Sequence, residues 1–146
     1  MASISTDRMT MRGEHQLAIY YEDTDFSGFV YHSNYLKFFE RAREHLIGID
    51  FLKELYHKGI HFVVSEAQLN FKQPAKHGDQ LIIRSEVAFS RSPILRASQQ
   101  AFVRSDENET LLVVARIDLA TLNSDNRPIR LPEFVMERFM EQQSLL

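Results

Sequence analysis

The chain has 146 residues, 44% of them hydrophobic and 25% charged, which is enough apolar material for one compact domain and too little for two. A net charge of -3 gives no general basic field for nucleic acid or an anionic membrane surface, and the lack of cysteine removes disulfides, thiolate-zinc sites and cysteine nucleophiles together. Nothing approaches a membrane-spanning run, so no integral membrane segment and a cytoplasmic setting are expected.

Residues Met1 to Arg12 mix Ser, Thr, Asp and Arg without an apolar stretch. They are expected to form a loose tail (1–12) rather than a leader, followed by a single domain over 13–146. Leu17, Ile19 and Tyr21 alternate with Gln16, Ala18 and Tyr20, which predicts a first strand ending just before the acidic turn Glu22-Asp23-Thr24-Asp25. The period then changes. Tyr35, Leu36, Phe38, Phe39, Ala42, Leu46 and Ile47 recur at helical spacing, with Ser33 or Asn34 to cap the start and Gly48 to end the helix. The opposite face carries Lys37, Glu40, Arg41, Arg43 and Glu44, which read as solvated charges. A short second helix is expected from Asp50 to near Gly59.

Four alternating segments follow, Phe62 to Phe71, Leu81 to Phe89, Ile94 to Val103 and Leu111 to Thr121, separated by segments with turn chemistry. Pro132 opens a last amphipathic stretch containing Phe134, Val135, Phe139 and Met140. Strand, long helix, four strands, helix is the order of an α+β domain in which an antiparallel sheet buries the apolar face of one helix.

Several chemistries are absent on inspection: there is no Gly-x-Ser-x-Gly turn and no His-Glu-x-x-His, and His15, His32, His45, His57, His61 and His77 lack metal-ligand spacing. Asp23, Asp25, Ser27 and Gly28 begin like a calcium loop, but its twelfth position is Asn34 and a strand precedes it. The acidic turn reads in two ways. It can be a solvated helix-entry turn. Alternatively, Tyr21, Phe26, Phe29, Val30, Tyr31 and Tyr35 wall a pocket in which partial desolvation raises the basicity of one carboxylate.

Tyr-Tyr-Glu-Asp-Thr-Asp at 20–25, Gly28, Val30-Tyr31-His32, Asn34-Tyr35 and Phe38-Phe39-Glu40-Arg41-Ala42-Arg43 resemble the signature of bacterial hot-dog acyl-CoA thioesterases. The subgroup is the one encoded with the Tol-Pal envelope system and related to 4-hydroxybenzoyl-CoA thioesterase. The resemblance continues through Phe62-Val63-Val64 and the later strands. It implies a hot-dog fold, an antiparallel sheet wrapped around the long central helix, with active sites between two subunits of a homodimer or homotetramer. It also implies an acyl-CoA substrate hydrolysed without cofactor or metal.

By that resemblance Asp25 is the catalytic acid, as nucleophile or general base, and Asp23 shapes the turn. The main-chain N–H of His32 would bind the developing oxyanion, while the His32 side chain is either a water-positioning group or a helix-entry residue. Tyr21 and Tyr31 are candidate substrate contacts whose plainer reading is core packing. Gly28 would give the turn its backbone freedom. Coenzyme A phosphates call for a basic rim, with Arg91 the first candidate and Lys72, Lys76 and Arg84 weaker ones. Two further readings stay open: a binding member of the fold that engages acyl carrier protein or lipid-synthesis enzymes, and a hydratase or dehydratase using Asp25 with His32.

Overall fold

A computed structural model describes residues 8–144. Five strands, β1 (Met9–Ala18), β2 (His61–Phe71), β3 (Gln80–Phe89), β4 (Ile94–Ser105) and β5 (Asn108–Leu122), form one sheet in the order β1-β3-β4-β5-β2, and every neighbouring pair is antiparallel. Three helices accompany it: α1 (Asn34–Ile47), α2 (Ile49–His57) and α3 (Glu133–Ser144). This is the α+β architecture read from the periodicity, with boundaries displaced by only a few residues except at the start of β1.

Helix α1 buries Tyr35, Phe38, Phe39, Ala42 and Ile47 against the inward side chains of the sheet, among them Met11, Leu81, Ile83, Val87, Leu95 and Ile117. The register makes this possible. Ile83 faces Ala101, Val87 faces Ala97, and Ala97 faces Ile117, so large and small side chains alternate across the strands beneath one helix. Gly13 marks the tightest approach, since a Cβ there would lie 2.8 Å from Leu46 Cδ1. Helix α3 closes one end of the core, with Phe139 edge-on to both Phe51 and Phe89.

The start of β1 corrects the expected tail. Residues 1–7 lie outside the described residues, but Met9–Arg12 pair with Phe89–Glu86 of β3, and Met11 is fully buried. A strand needs an apolar side chain only at every second position, and ladder hydrogen bonds to β3 supply the rest. Arg12 is also clasped by Gln143, whose side-chain amide accepts from the Arg12 N–H at 2.9 Å and donates to its carbonyl at 3.2 Å. The same strand stops early, at Ala18, and Tyr21–Asp23 form a 3-10 turn instead of strand. Ser33 occupies the N-cap of α1 without a capping side-chain bond.

Candidate functional site

Between β1 and α1 the chain folds into a compact turn held by its own backbone. Tyr31 N–H and Asn34 Nδ2 both donate to the Asp23 carbonyl at 2.9 Å, the Asp25 N–H donates to the Phe29 carbonyl at 3.0 Å, and Val30 N–H donates to Ala75 at 2.8 Å. The Asp23 side chain turns inward and accepts the Tyr20 N–H at 2.9 Å, which leaves it the turn-shaping role. Gly28 lies at φ 86°, a region that L side chains rarely adopt, with open space around its Cα; glycine is required there for its backbone and not for clearance.

The Asp25 carboxylate is exposed at the crest of this turn. Its Oδ1 accepts the Ser27 N–H at 2.8 Å and a short hydrogen bond from the Ser27 hydroxyl. These bonds hold the carboxyl below its ordinary range, and the nearby His32 lowers it further. The direction is opposite to the raised basicity expected from an aromatic pocket. The reason is visible in the burial: Tyr21, Phe26, Phe29 and Tyr31 are all exposed, Phe26 completely, and only Val30 and Tyr35 of that group enter the core. Tyr21 and Tyr31 are therefore not core residues. The Tyr21 ring lies 5.9 Å from that of His77, and Tyr31 packs on His32 at 4.5 Å.

His32 and Ser33 precede the first turn of α1. The N–H groups of Asn34, Tyr35 and Leu36 are taken by the carbonyls of Tyr31, His32 and Ser33, whereas those of His32 and Ser33 have no hydrogen-bond partner among the described residues. Unpaired N–H groups at a helix start attract anions and carbonyl oxygens. His32 also borders a cavity of about 290 Å3 with Val30, Tyr35, Phe71, Lys72, Gln73 and Pro74. Burial, followed by the charge of Asp79, pushes the Tyr35 hydroxyl up to about 12.

The basic candidates separate clearly. Lys72 borders the His32 cavity, and Lys76 bridges Phe29 of the acidic turn. Arg84 is engaged on the outer face of the sheet by Glu14 and Glu109. Arg91 lies beyond Phe89, at the far end of β3 from the Ile19–Asp79 contact that anchors the turn. Ten strand residues, about 30 Å, intervene within one subunit. Sequence reasoning met Ser27 only in the calcium-loop pattern and missed its bonds to Asp25, although Asp-x-Ser is a common side-chain-to-backbone turn. Tyr35 was read both in the apolar face of the helix and in a pocket wall, and the structure has it buried and bordering the His32 cavity.

Comparison with known proteins adds an independent line. A family model described as the thioesterase-like superfamily matches residues 20–139. The acyl-CoA thioesterase YbgC of Haemophilus influenzae is 32% identical over 125 residues, covering 83% of this chain and 89% of that protein. A probable thioesterase from Bartonella henselae is 33% identical, with a TM-score of 0.66, over 84% of this chain and 99% of its own. The 4-hydroxybenzoyl CoA thioesterase from Pseudomonas sp. strain CBS-3 shares the fold at 17% identity, with a TM-score of 0.76 over 88% of this chain and 99% of its own.

Proposed function

The chain belongs to the thioesterase-like superfamily, and from that premise we propose that it hydrolyses an acyl-CoA thioester to a free acid and coenzyme A. The observation that carries the reading is the pairing of an ionised, exposed Asp25 with a helix entry at which the His32 N–H is unclaimed. In this assignment the thioester carbonyl oxygen points at the His32 N–H. Asp25 either attacks the carbonyl carbon or takes a proton from an attacking water. The tetrahedral oxyanion collapses and the C–S bond breaks; the departing thiolate of coenzyme A takes the proton that Asp25 gained from water in the general-base route, or one from solvent in the nucleophilic route. In the nucleophilic route, water then cleaves the acyl-aspartyl anhydride. A single oxyanion donor is worth on the order of a hundredfold or more in turnover, so the backbone at His32 is assigned a share comparable to that of the acid.

Gly28 keeps the turn in place, and the Tyr31 ring orients His32 and contributes apolar surface to the acyl group. Tyr21, exposed beside His77, is assigned to substrate contact. Lys72 and Lys76 are the phosphate-binding candidates on the same side of the subunit as Asp25, and Arg91 serves only if a second subunit brings it across.

The exposed surface supports assembly as a homo-oligomer. The exposed Tyr21, Phe26, Phe29 and Tyr31 lie on one turn, and β2 is an edge strand with Val63, Val64 and Phe71 exposed. Such an edge is normally covered, and a second copy would cover it while enclosing Asp25. A cytoplasmic setting alongside the Tol-Pal envelope system comes with the resemblance carried by the 20–43 signature. Acyl carrier protein is a further candidate partner because it presents the same type of thioester arm.

The test is a panel of short, long and aromatic acyl-CoA substrates with a thiol-trapping readout. Release of free coenzyme A in step with free acid supports hydrolysis. An altered acyl chain with the thioester intact points to hydration or dehydration, and no turnover combined with retention of acyl carrier protein points to a binding role.

A further inference from the structure

In a core that is otherwise mainly aliphatic and aromatic, three polar side chains from three elements meet: Arg43 of α1, Ser85 of β3 and Gln99 of β4. Gln99 is completely buried. Its Oε1 accepts from Arg43 Nη1 at 3.0 Å, and its Nε2 donates to the Phe39 carbonyl at 3.0 Å and to Ser85 Oγ at 2.9 Å. Phe39 and Arg43 are four residues apart, one turn of helix. A single amide from the sheet therefore grips that turn by its backbone and by its side chain at once.

Stability does not account for this cluster. Arg43 is 6% exposed and has no carboxylate within ion-pair distance among the described residues; its one side-chain hydrogen bond is to a neutral amide, and Glu40 and Glu44 offset the cost of its burial only from longer range. Replacing buried charged and polar networks by apolar side chains of similar volume is often neutral or stabilising. The network does supply direction. Apolar contacts tolerate small slides and rolls of a helix on a sheet, whereas hydrogen bonds hold only within a narrow range of distance and angle. Helix α1 begins at Asn34, five residues or about 7.5 Å along the axis from the gripped Phe39. The unclaimed His32 N–H sits just ahead of that start and shifts whenever the helix shifts.

We propose that Gln99, together with Arg43 and Ser85, is a positioning group that fixes the axial and rotational setting of α1, and so the aim of the His32 N–H at the thioester carbonyl opposite Asp25. The proposal rests on the thioesterase reading given above. Its consequence is that turnover and stability come apart at these three residues.

The experiment compares wild type with the triple variant Arg43→Met, Gln99→Met, Ser85→Ala, which removes every member of the cluster so that no polar group is stranded. The expected result is a melting temperature equal to or above that of wild type, KM within about twofold, and kcat lower by about ten- to a hundredfold, the loss associated with a displacement of up to about 1 Å at a reacting centre. Gln99→Glu is the companion variant. It retains an acceptor for Arg43 and gains an ion pair, but loses the donors to the Phe39 carbonyl and Ser85. It is expected to fold and to show the same kcat loss at unchanged KM, and it carries the test by itself should the triple variant not fold.

Unchanged kcat in a folded variant overturns the proposal, and so does a kcat loss that only tracks a fall in melting temperature. Wild-type protein that releases no thiol from any acyl-CoA overturns the thioesterase reading and this proposal together. An active wild type with an unaffected variant overturns the positioning role alone.

Discussion

Ser27 holds the Asp25 carboxyl below its ordinary range. Its hydroxyl and N–H both donate to one carboxylate oxygen, and with the nearby His32 they favour the anion. A depressed acid keeps its base form down to its lowered pKa and loses it as the pH falls through that value, so the acid limb of kcat/KM lies below the ordinary aspartate range. Ser27→Ala removes the largest cause, and the limb is expected to move to higher pH while kcat at neutral pH changes little. A kcat/KM profile from about pH 3 to 8 measures this, and a limb that stays in place contradicts the account. At this scale the sequence was partly legible. Asp25 and Gly28 stood out because an acid beside a glycine just before a helix is unusual company. Ser27 did not stand out, because serine in a turn has many uses and only geometry shows which oxygen it serves. The direction of the Asp25 shift was misjudged for a related reason: apolar neighbours in sequence suggest desolvation, but in space Phe26 and Tyr21 point away from the core.

Helix α1 was the most legible element, since seven apolar residues at helical spacing leave little alternative. The start of β1 was the least legible, because its few inward side chains acquire meaning only through pairing with β3. Gly13 in that strand shows what the pairing demands. A Cβ would lie 2.8 Å from the terminal Cδ1 methyl of Leu46, so Gly13→Val is expected to make the Leu46 side chain change rotamer and to cost about 1 kcal/mol in chemical denaturation. On the outer face, Arg84 holds Glu14 and Glu109, and Arg104 also reaches Glu109 at 2.9 Å. The two arginines bring the Glu109 carboxyl down to about 2, Arg84 contributing most. The stability this cluster supplies is present above the unfolded glutamate pKa, about 4.3, and is lost as the pH falls towards the folded value. Glu109→Gln is expected to flatten the fall of the urea midpoint across that window, with the wild-type slope diminishing at high salt. An unchanged slope in the variant assigns the acid sensitivity elsewhere.

Among the described residues, the aromatic turn and the β2 edge expose large apolar side chains that the fold of this chain does not cover. Phe26 is fully exposed and Phe29 nearly half exposed beside the proposed catalytic acid. Periodicity could not reveal this, because an apolar residue that meets a second copy has the same pattern as one that meets its own core. The double variant Phe26→Ser, Phe29→Ser is expected to shift sedimentation towards the monomer and to lose thioester hydrolysis at the same time, with its far-UV spectrum unchanged. Retained assembly places the interface on another surface. The central claim, that Asp25 carries the chemistry, is tested most directly by Asp25→Asn, which preserves shape and an acceptor for Ser27 while removing the base. Thiol release is measured on the best substrate of the panel, alongside thermal unfolding. The account predicts a loss of kcat of about a hundred- to ten-thousandfold at unchanged melting temperature; a folded variant that turns over at the wild-type rate contradicts it.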